Sequence, residues 1–237
     1  MKILHVYKDY YPVLGGIENH LRLLAEAQAA LGHDVTALVT AQGTRSSEEM
    51  MHGVRVIRAA RLATVASTPL SSALARTVSR LSPDITHLHY PYPVGEVAHL
   101  VFGRGRRAVL TYHSDVVRQR RLMRLYAPVM QRVLRRVDRI IVTTPNYLES
   151  SAVLRAFHDK CSVIPFGIDR QRFCCVDAEA ARALRARVGG GPLLLFVGVL
   201  RYYKGLSYLL EAMVRLSARF AARLVIVGDG PEGSALR

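Results

Sequence analysis

Short apolar runs alternate along the chain with stretches whose apolar positions recur every three or four residues. Ile3-Leu4-His5-Val6-Tyr7 reads as a buried strand, and Asp9 to Leu14 as a turn that runs into Gly15-Gly16. Ile17 to Leu31 has helical periodicity, with Leu21, Leu24, Ala25, Gln28 and Leu31 near one face, and Gly32 suits a left-handed helix end. Further strands are expected at 34–40, 53–58, 85–89, 107–112, 139–143 and 161–164. Helices are expected at 70–81, around 95–102, through 116–137 and from Pro145, which sits at its favoured first-turn position. Pro128 is expected to kink or interrupt the long one. Strands that alternate with helices in this way form a parallel sheet covered on both faces, with ligands beyond the strands' carboxyl ends.

The same scheme begins again at 193–197, with a helix over 205–216 and a strand at 223–227. The fold class expected is therefore α/β. Residues 1–169 form a Rossmann-like domain, 170–192 a linker with one helix, and 193–237 the start of a second Rossmann-like domain. Two strands and one helix bury too little for a normal core, so this second domain is expected to be incomplete.

A strand that enters a helix through Gly15-Gly16 aims free backbone N–H groups and a positive helix end at whatever lies above the sheet edge. A dinucleotide oxidoreductase would need G-x-G-x-x-G and an acid closing the second strand. Gly15-Gly16-Ile17-Glu18 and Val39-Thr40 provide neither. His113-Ser114-Asp115 follows the strand at 107–112 but lacks the nucleophile elbow of a hydrolase. Its position at the carboxyl edge of a parallel sheet still favours a functional role for His113. Arg201 and Lys204, just ahead of a helix, suit a diphosphate, although two solvated loop charges would look the same. Between Val116 and Val137, Leu122, Leu125, Tyr126, Val129, Met130, Val133, Leu134 and Val137 form an apolar stripe beside arginines 118, 120, 121, 124, 132, 135 and 136. The stripe is expected to face the core, with the arginine face open to solvent or to anionic lipid.

Composition narrows the classes. Half of the 237 residues are apolar, so the chain folds, and no apolar run reaches the length of a membrane span. Met1-Lys2 leads straight into the first strand, which argues against a signal peptide, and the three cysteines form neither a disulfide framework nor metal-ligand spacing. A cytoplasmic protein is expected. The net charge of +15 favours acidic partners, but the basic residues lack the interleaved aromatics of a nucleic-acid binder, and none is expected.

Taken together, six stretches resemble the group 1 (family 4) retaining glycosyltransferases. They are Gly15-Gly16-Ile17-Glu18, Thr111 to Asp115, Asp138 to Thr143, Pro165-Phe166-Gly167-Ile168-Asp169, Phe196-Val197-Gly198 with Lys204-Gly205, and Val227 to Pro231. The resemblance implies a GT-B enzyme that moves a sugar, with mannose the favoured candidate, from a GDP- or UDP-linked donor to a glycan or lipid-linked acceptor in surface polysaccharide synthesis. It implies His113 at the transferred sugar, Arg201 and Lys204 at the donor phosphates, and Gly15 and Gly16 in a loop that closes against the donor diphosphate or the acceptor. Glu18 and Asp115 fall on the acceptor side. No metal or other cofactor is implied. The family usually has arginine where Val199 stands, with Arg201 as the substitute, and it has a glutamate pair that this sequence lacks, as in a C-terminally truncated member. Peripheral contact with the inner face of the membrane is a further expectation. The alternative is a non-catalytic anion- or membrane-binding module.

Overall fold

The computed structural model describes residues 1–116, 120–175, 177–189, 191–217 and 220–236. These divide into two compact units, Met1–Ile168 and Asp169–Arg237.

In the first unit, β1 (Lys2–Val6) leads through α1 (Gly16–Ala30) to β2 (Asp34–Thr40), followed by β3 (Ser47–Met51) and β4 (Val54–Ala59). A short hairpin of β5 (Ala63–Val65) and β6 (Thr68–Leu70) precedes α2 (Ser72–Arg80). Then come β7 (Ile85–Tyr90), α3 (Pro93–Phe102), β8 (Arg107–Tyr112), α4 (Arg120–Arg136) and β9 (Arg139–Val142). The short helices α5 (Pro145–Ser150) and α6 (Ala152–Arg155) lead to β10 (Cys161–Val163). The eight-stranded sheet has the order β10-β9-β8-β7-β1-β2-β4-β3. Neighbours are parallel except β3, which runs antiparallel to β4.

From β1 the chain builds outward through β2 and β4, then crosses back to lay β7 against the other side of β1. The strand order therefore reverses between β1 and β7, and the crevice beyond their carboxyl ends is where such sheets bind ligands. Pairing is in register, with Ile3 opposite Ile85 and His5 opposite His87.

Both faces of the sheet are buried. Val6, Leu38, Leu88, Leu110 and Ile140 from the strands, with Leu21 of α1 and Leu134 of α4, are at most 1% exposed. Each such side chain contributes about 1.5–3 kcal/mol relative to an exposed one. The long helix runs from Arg120 to Arg136 with no interruption at Pro128. Two sequence expectations change here. Leu31 lies outside the core at 76% exposure, because it caps α1 where the chain has already turned outward. Leu122 and Leu125 leave the apolar stripe of α4 and are exposed, while Met130, Val133, Leu134 and Val137 are buried. The part of that stretch at residues 117–119, Arg118 included, lies outside the described residues, as do the side chains of Arg120 and Arg121.

The second unit holds α7 (Gln171–Cys174), α8 (Ala178–Val188), β11 (Leu193–Val197), α9 (Leu206–Ser217) and β12 (Arg223–Val227). Strands β11 and β12 pair in parallel, and Leu194, Phe196, Leu224 and Ile226 remain only half-buried. Beyond the strands the two segments stay in contact: the Gly198 N–H donates to the Val227 carbonyl at 2.9 Å, and the Leu200 N–H to that of Asp229 at 2.9 Å. This approach explains the glycines. A Cβ on Gly228 would lie 1.9 Å from the Gly198 carbonyl oxygen, and its φ of +149° is itself a glycine conformation.

Candidate functional site

Alternation along a strand places every second side chain on the same face. In β7 this puts His87 and His89 on the face shared with His5 of β1, at the reversal point of the sheet. His113, one residue past β8, continues that row, its backbone N–H held by the Tyr90 carbonyl at 3.1 Å. From α1, His20 and Gln28 reach the same place.

The rings form a connected chain. Gln28 Oε1 lies 2.7 Å from His5 Nε2, His5 Nδ1 lies 3.1 Å from His89 Nε2, and His89 Nδ1 lies 3.1 Å from His113 Nε2. His87 turns aside to Thr111, with Nε2 and Oγ1 2.7 Å apart. His113 Nδ1 is buried and has no hydrogen-bond partner. Around it pack His20, with ring centroids 5.6 Å apart, and Phe166 at 5.5 Å.

Burial sets the charge state of this cluster. It lowers His5 to about 4, against a smaller opposing effect of the Gln28 bond, and the nearby His20 lowers it further. Burial, with a smaller contribution from His20, brings His113 down to about 3. Burial, and then the neighbouring histidines, hold His87 and His89 well below the usual range. At neutral pH the rings are uncharged, so each carries one N–H and one free lone pair.

His5, His87 and His89 each offer a nitrogen, all within 4.8 Å of one another, which is a spacing a metal ion can span. Ring geometry argues for hydrogen bonding instead. The His87 and His89 rings are stacked, 4.4 Å apart and 19° from parallel. Their in-plane lone pairs therefore run alongside one another rather than meeting at a point.

The glycine turn is built around Glu18. Gly15 is the N-cap of α1 in an extended conformation, and Glu18, three residues on, lies buried against it. A Cβ on Gly15 would meet the Glu18 carboxylate at 2.1 Å, whereas one on Gly16 would meet nothing. Lys8 stands 3.9 Å from the same carboxylate. The positive end of α1 thus already faces one acid. Asp115 is also engaged: it accepts hydrogen bonds from the Tyr112 hydroxyl at 2.8 Å and the Ser151 hydroxyl at 3.1 Å, and so ties β8 to the start of α6. Arg201 and Lys204 lie in the second unit, exposed, around a turn that ends in left-handed Gly205. Neither forms an ion pair among the described residues.

On the opposite face of the sheet, a residue the sequence reading passed over stands out. Glu96 of α3 is 1% exposed. It accepts the Tyr92 N–H at 2.7 Å and the hydroxyl of Tyr126 from α4. Burial pushes its carboxyl up to about 7 against those two hydrogen bonds. A lone acid among the apolar positions of 93–102 was the signal. For His87 and His89 the signal was the spacing His-x-His in one strand, whereas His5 of β1 carried none.

Comparison with known proteins follows the same division of the chain. The profile of Glycosyltransferase Family 4 matches residues 14–172, and that of Glycosyl transferases group 1 matches residues 177–237. The O-antigen chain mannosyltransferase C of Escherichia coli is 38% identical over 98% of this chain and 62% of its own length. The D-rhamnosyltransferase WbpZ of Pseudomonas aeruginosa is 36% identical over 98% of this chain and 60% of its own. The chain thus spans about 60% of the length of the curated relatives it matches. Among solved structures, sucrose-phosphate synthase from Thermosynechococcus elongatus superimposes with a TM-score of 0.68 at 23% identity. The match covers 95% of this chain and 62% of that one.

Proposed function

Because the chain belongs to Glycosyltransferase Family 4, we propose that it acts in transferring a sugar from a nucleotide-sugar donor to a glycan or lipid-linked acceptor in surface polysaccharide synthesis. The observation that carries this reading is the similarity over 98% of the chain to a mannosyltransferase of O-antigen synthesis. Mannose is the favoured sugar, with GDP or UDP as the carrier. The switch-point crevice beyond β1 and β7 supports a sugar site, with His113 at the transferred sugar.

Arg201 and Lys204 neutralise the leaving diphosphate in this reading, a task that needs no metal when fixed cations do it. That both are exposed and unpaired with acids among the described residues supports the assignment. The Gly15-Gly16 turn, already facing Glu18, fits contact with neutral hydroxyls better than with phosphate. Asp115 serves the acceptor side through the position it gives the segment after β8.

We also propose peripheral contact with an anionic membrane on the cytoplasmic side. No helix among the described residues is long and apolar enough to cross one. On α4, however, exposed Leu122 and Leu125 stand among exposed Arg124, Arg132, Arg135 and Arg136. Apolar anchors beside cations suit the headgroup region of anionic lipid. Incubation with labelled GDP-mannose, UDP-sugars and a lipid-linked acceptor tests the enzyme reading. Transfer of label supports it, whereas lipid or acceptor binding with no transfer favours a binding module.

A further inference from the structure

The row of histidines behind His113 has a direction. Three neutral imidazoles in series, each with one N–H, can point their protons all one way or all the other. Any other arrangement sets N–H against N–H, or lone pair against lone pair, in a buried place. The end of the row decides between the two. Gln28 is placed with its carbonyl oxygen 2.7 Å from His5 Nε2, and in that amide orientation it only accepts, whereas the flipped amide would donate and reverse the row. His5 Nε2 therefore carries the proton, and His5 Nδ1 accepts from His89 Nε2 across 3.1 Å. His89 Nδ1 in turn accepts from His113 Nε2 across 3.1 Å. His113 Nδ1 is then left with a lone pair, and it is the one nitrogen of the row that is buried without a partner.

We propose that Gln28 is a positioning residue which, through His5 and His89, fixes the ring proton of His113 on Nε2 and keeps Nδ1 as a hydrogen-bond acceptor, which a sugar hydroxyl meets once the packing of His20 and Phe166 against it opens. The sugar as ligand rests on the transferase reading above; the fixed tautomer does not. The side branch leaves the row intact, since His87 is satisfied by Thr111 instead of joining it. The chain stays uncharged because burial lowers every ring in it, so no ring gains a second N–H that would erase the direction. An acceptor at Nδ1 recognises a hydroxyl and disfavours a second acceptor, such as a phosphate oxygen. That places selectivity for sugar over phosphate in a glutamine on α1, three hydrogen bonds away.

The test is nitrogen-15 NMR of the imidazoles in the 237-residue chain, without substrate, at neutral pH. The wild type should show His113 protonated at Nε2, with a bare, pyridine-like Nδ1. Gln28→Met keeps the length and removes the carbonyl, and the His113 pair should shift toward the other tautomer. Gln28→Glu sets a carboxylate against His5 Nε2, which favours a doubly protonated His5 whose Nδ1–H turns the row the other way. A structural role for Gln28 would change the thermal midpoint of both variants without moving the tautomer. His113 protonated at Nδ1 in the wild type, or a pattern unchanged in Gln28→Met, overturns the proposal. So does stoichiometric zinc binding that shifts His5, His87 and His89 together, because these rings would then be metal ligands. Absence of sugar transfer with the predicted tautomers would instead count against the transferase reading alone.

Discussion

Replacing Glu96 by glutamine should stabilise the protein relative to wild type increasingly as the pH rises. The carboxyl is 1% exposed, and burial moves it from 4.5 to about 7. Because its folded value lies above its unfolded value, the folded state binds more protons between these two pH values. Stability then falls as pH rises through that window and levels off above it. At about 1.4 kcal/mol for each unit of pKa, the acid costs the fold roughly 3 kcal/mol at pH 8 relative to pH 4. The substituted amide keeps an oxygen for the Tyr92 N–H and offers an N–H to the Tyr126 oxygen, and the Tyr126 O–H that lost its acceptor adds a cost that does not vary with pH in this range. The assay is denaturant unfolding of wild type and Glu96→Gln at a series of pH values. The difference between the two proteins cancels the titration of every other group, including His99, which burial lowers. The advantage of glutamine should grow by roughly 3 kcal/mol between about pH 4.5 and pH 8. A difference that does not change with pH would refute the reasoning and mean that Glu96 is solvated or paired with a cation.

Other substitutions separate the remaining roles. Lys204→Ala should weaken nucleoside diphosphate binding about tenfold or more, the loss expected for one charge-assisted bond, and Arg201→Ala should add to it in calorimetry; an unchanged affinity would return both to solvated loop charges. Gly228→Ala sets a Cβ 1.9 Å from the Gly198 carbonyl and should destabilise the second unit by about 2 kcal/mol or more in thermal unfolding, with the first unit's transition unmoved. Leu125→Glu should reduce sedimentation with anionic vesicles and leave the fold intact, since Leu125 is 80% exposed; unaltered sedimentation would remove α4 from any membrane contact.

Much of the fold was legible because parallel strands covered on both faces read as near-continuous apolar runs. The strands at 34–40, 107–112, 193–197 and 223–227 have the bounds that their patterns predict. β3 was not legible: Ser47-Glu48-Glu49-Met50-Met51 is an edge strand that buries almost nothing, so no periodicity marks it. The hairpin of β5 and β6 is shorter still, and of its strand residues only Pro69 is buried. At the site, His113 was visible from its place after a strand. Its dependence on His5 and His89 was not, because those contacts require β1 and β7 to be neighbours across about 80 residues of sequence, and only the sheet order brings them together. Gln28 had been placed on the apolar face of α1, and a polar residue there signals a buried partner. Asp115 illustrates the opposite limit. It lies only two residues from His113, yet its carboxylate accepts from Tyr112 and Ser151 instead.

Whether the histidine row at the strand ends serves sugar transfer is decided by turnover at His113. The chain is assayed alone and also completed with the part of the 38%-identical mannosyltransferase that it does not cover. The readout is label moved from GDP-mannose or a UDP-sugar to a lipid-linked acceptor. The completed protein should transfer label, and His113→Ala should lose about tenfold or more in kcat with the thermal midpoint little changed. Full turnover in His113→Ala, or no transfer from any sugar nucleotide by either protein, would contradict a role for the row in transfer.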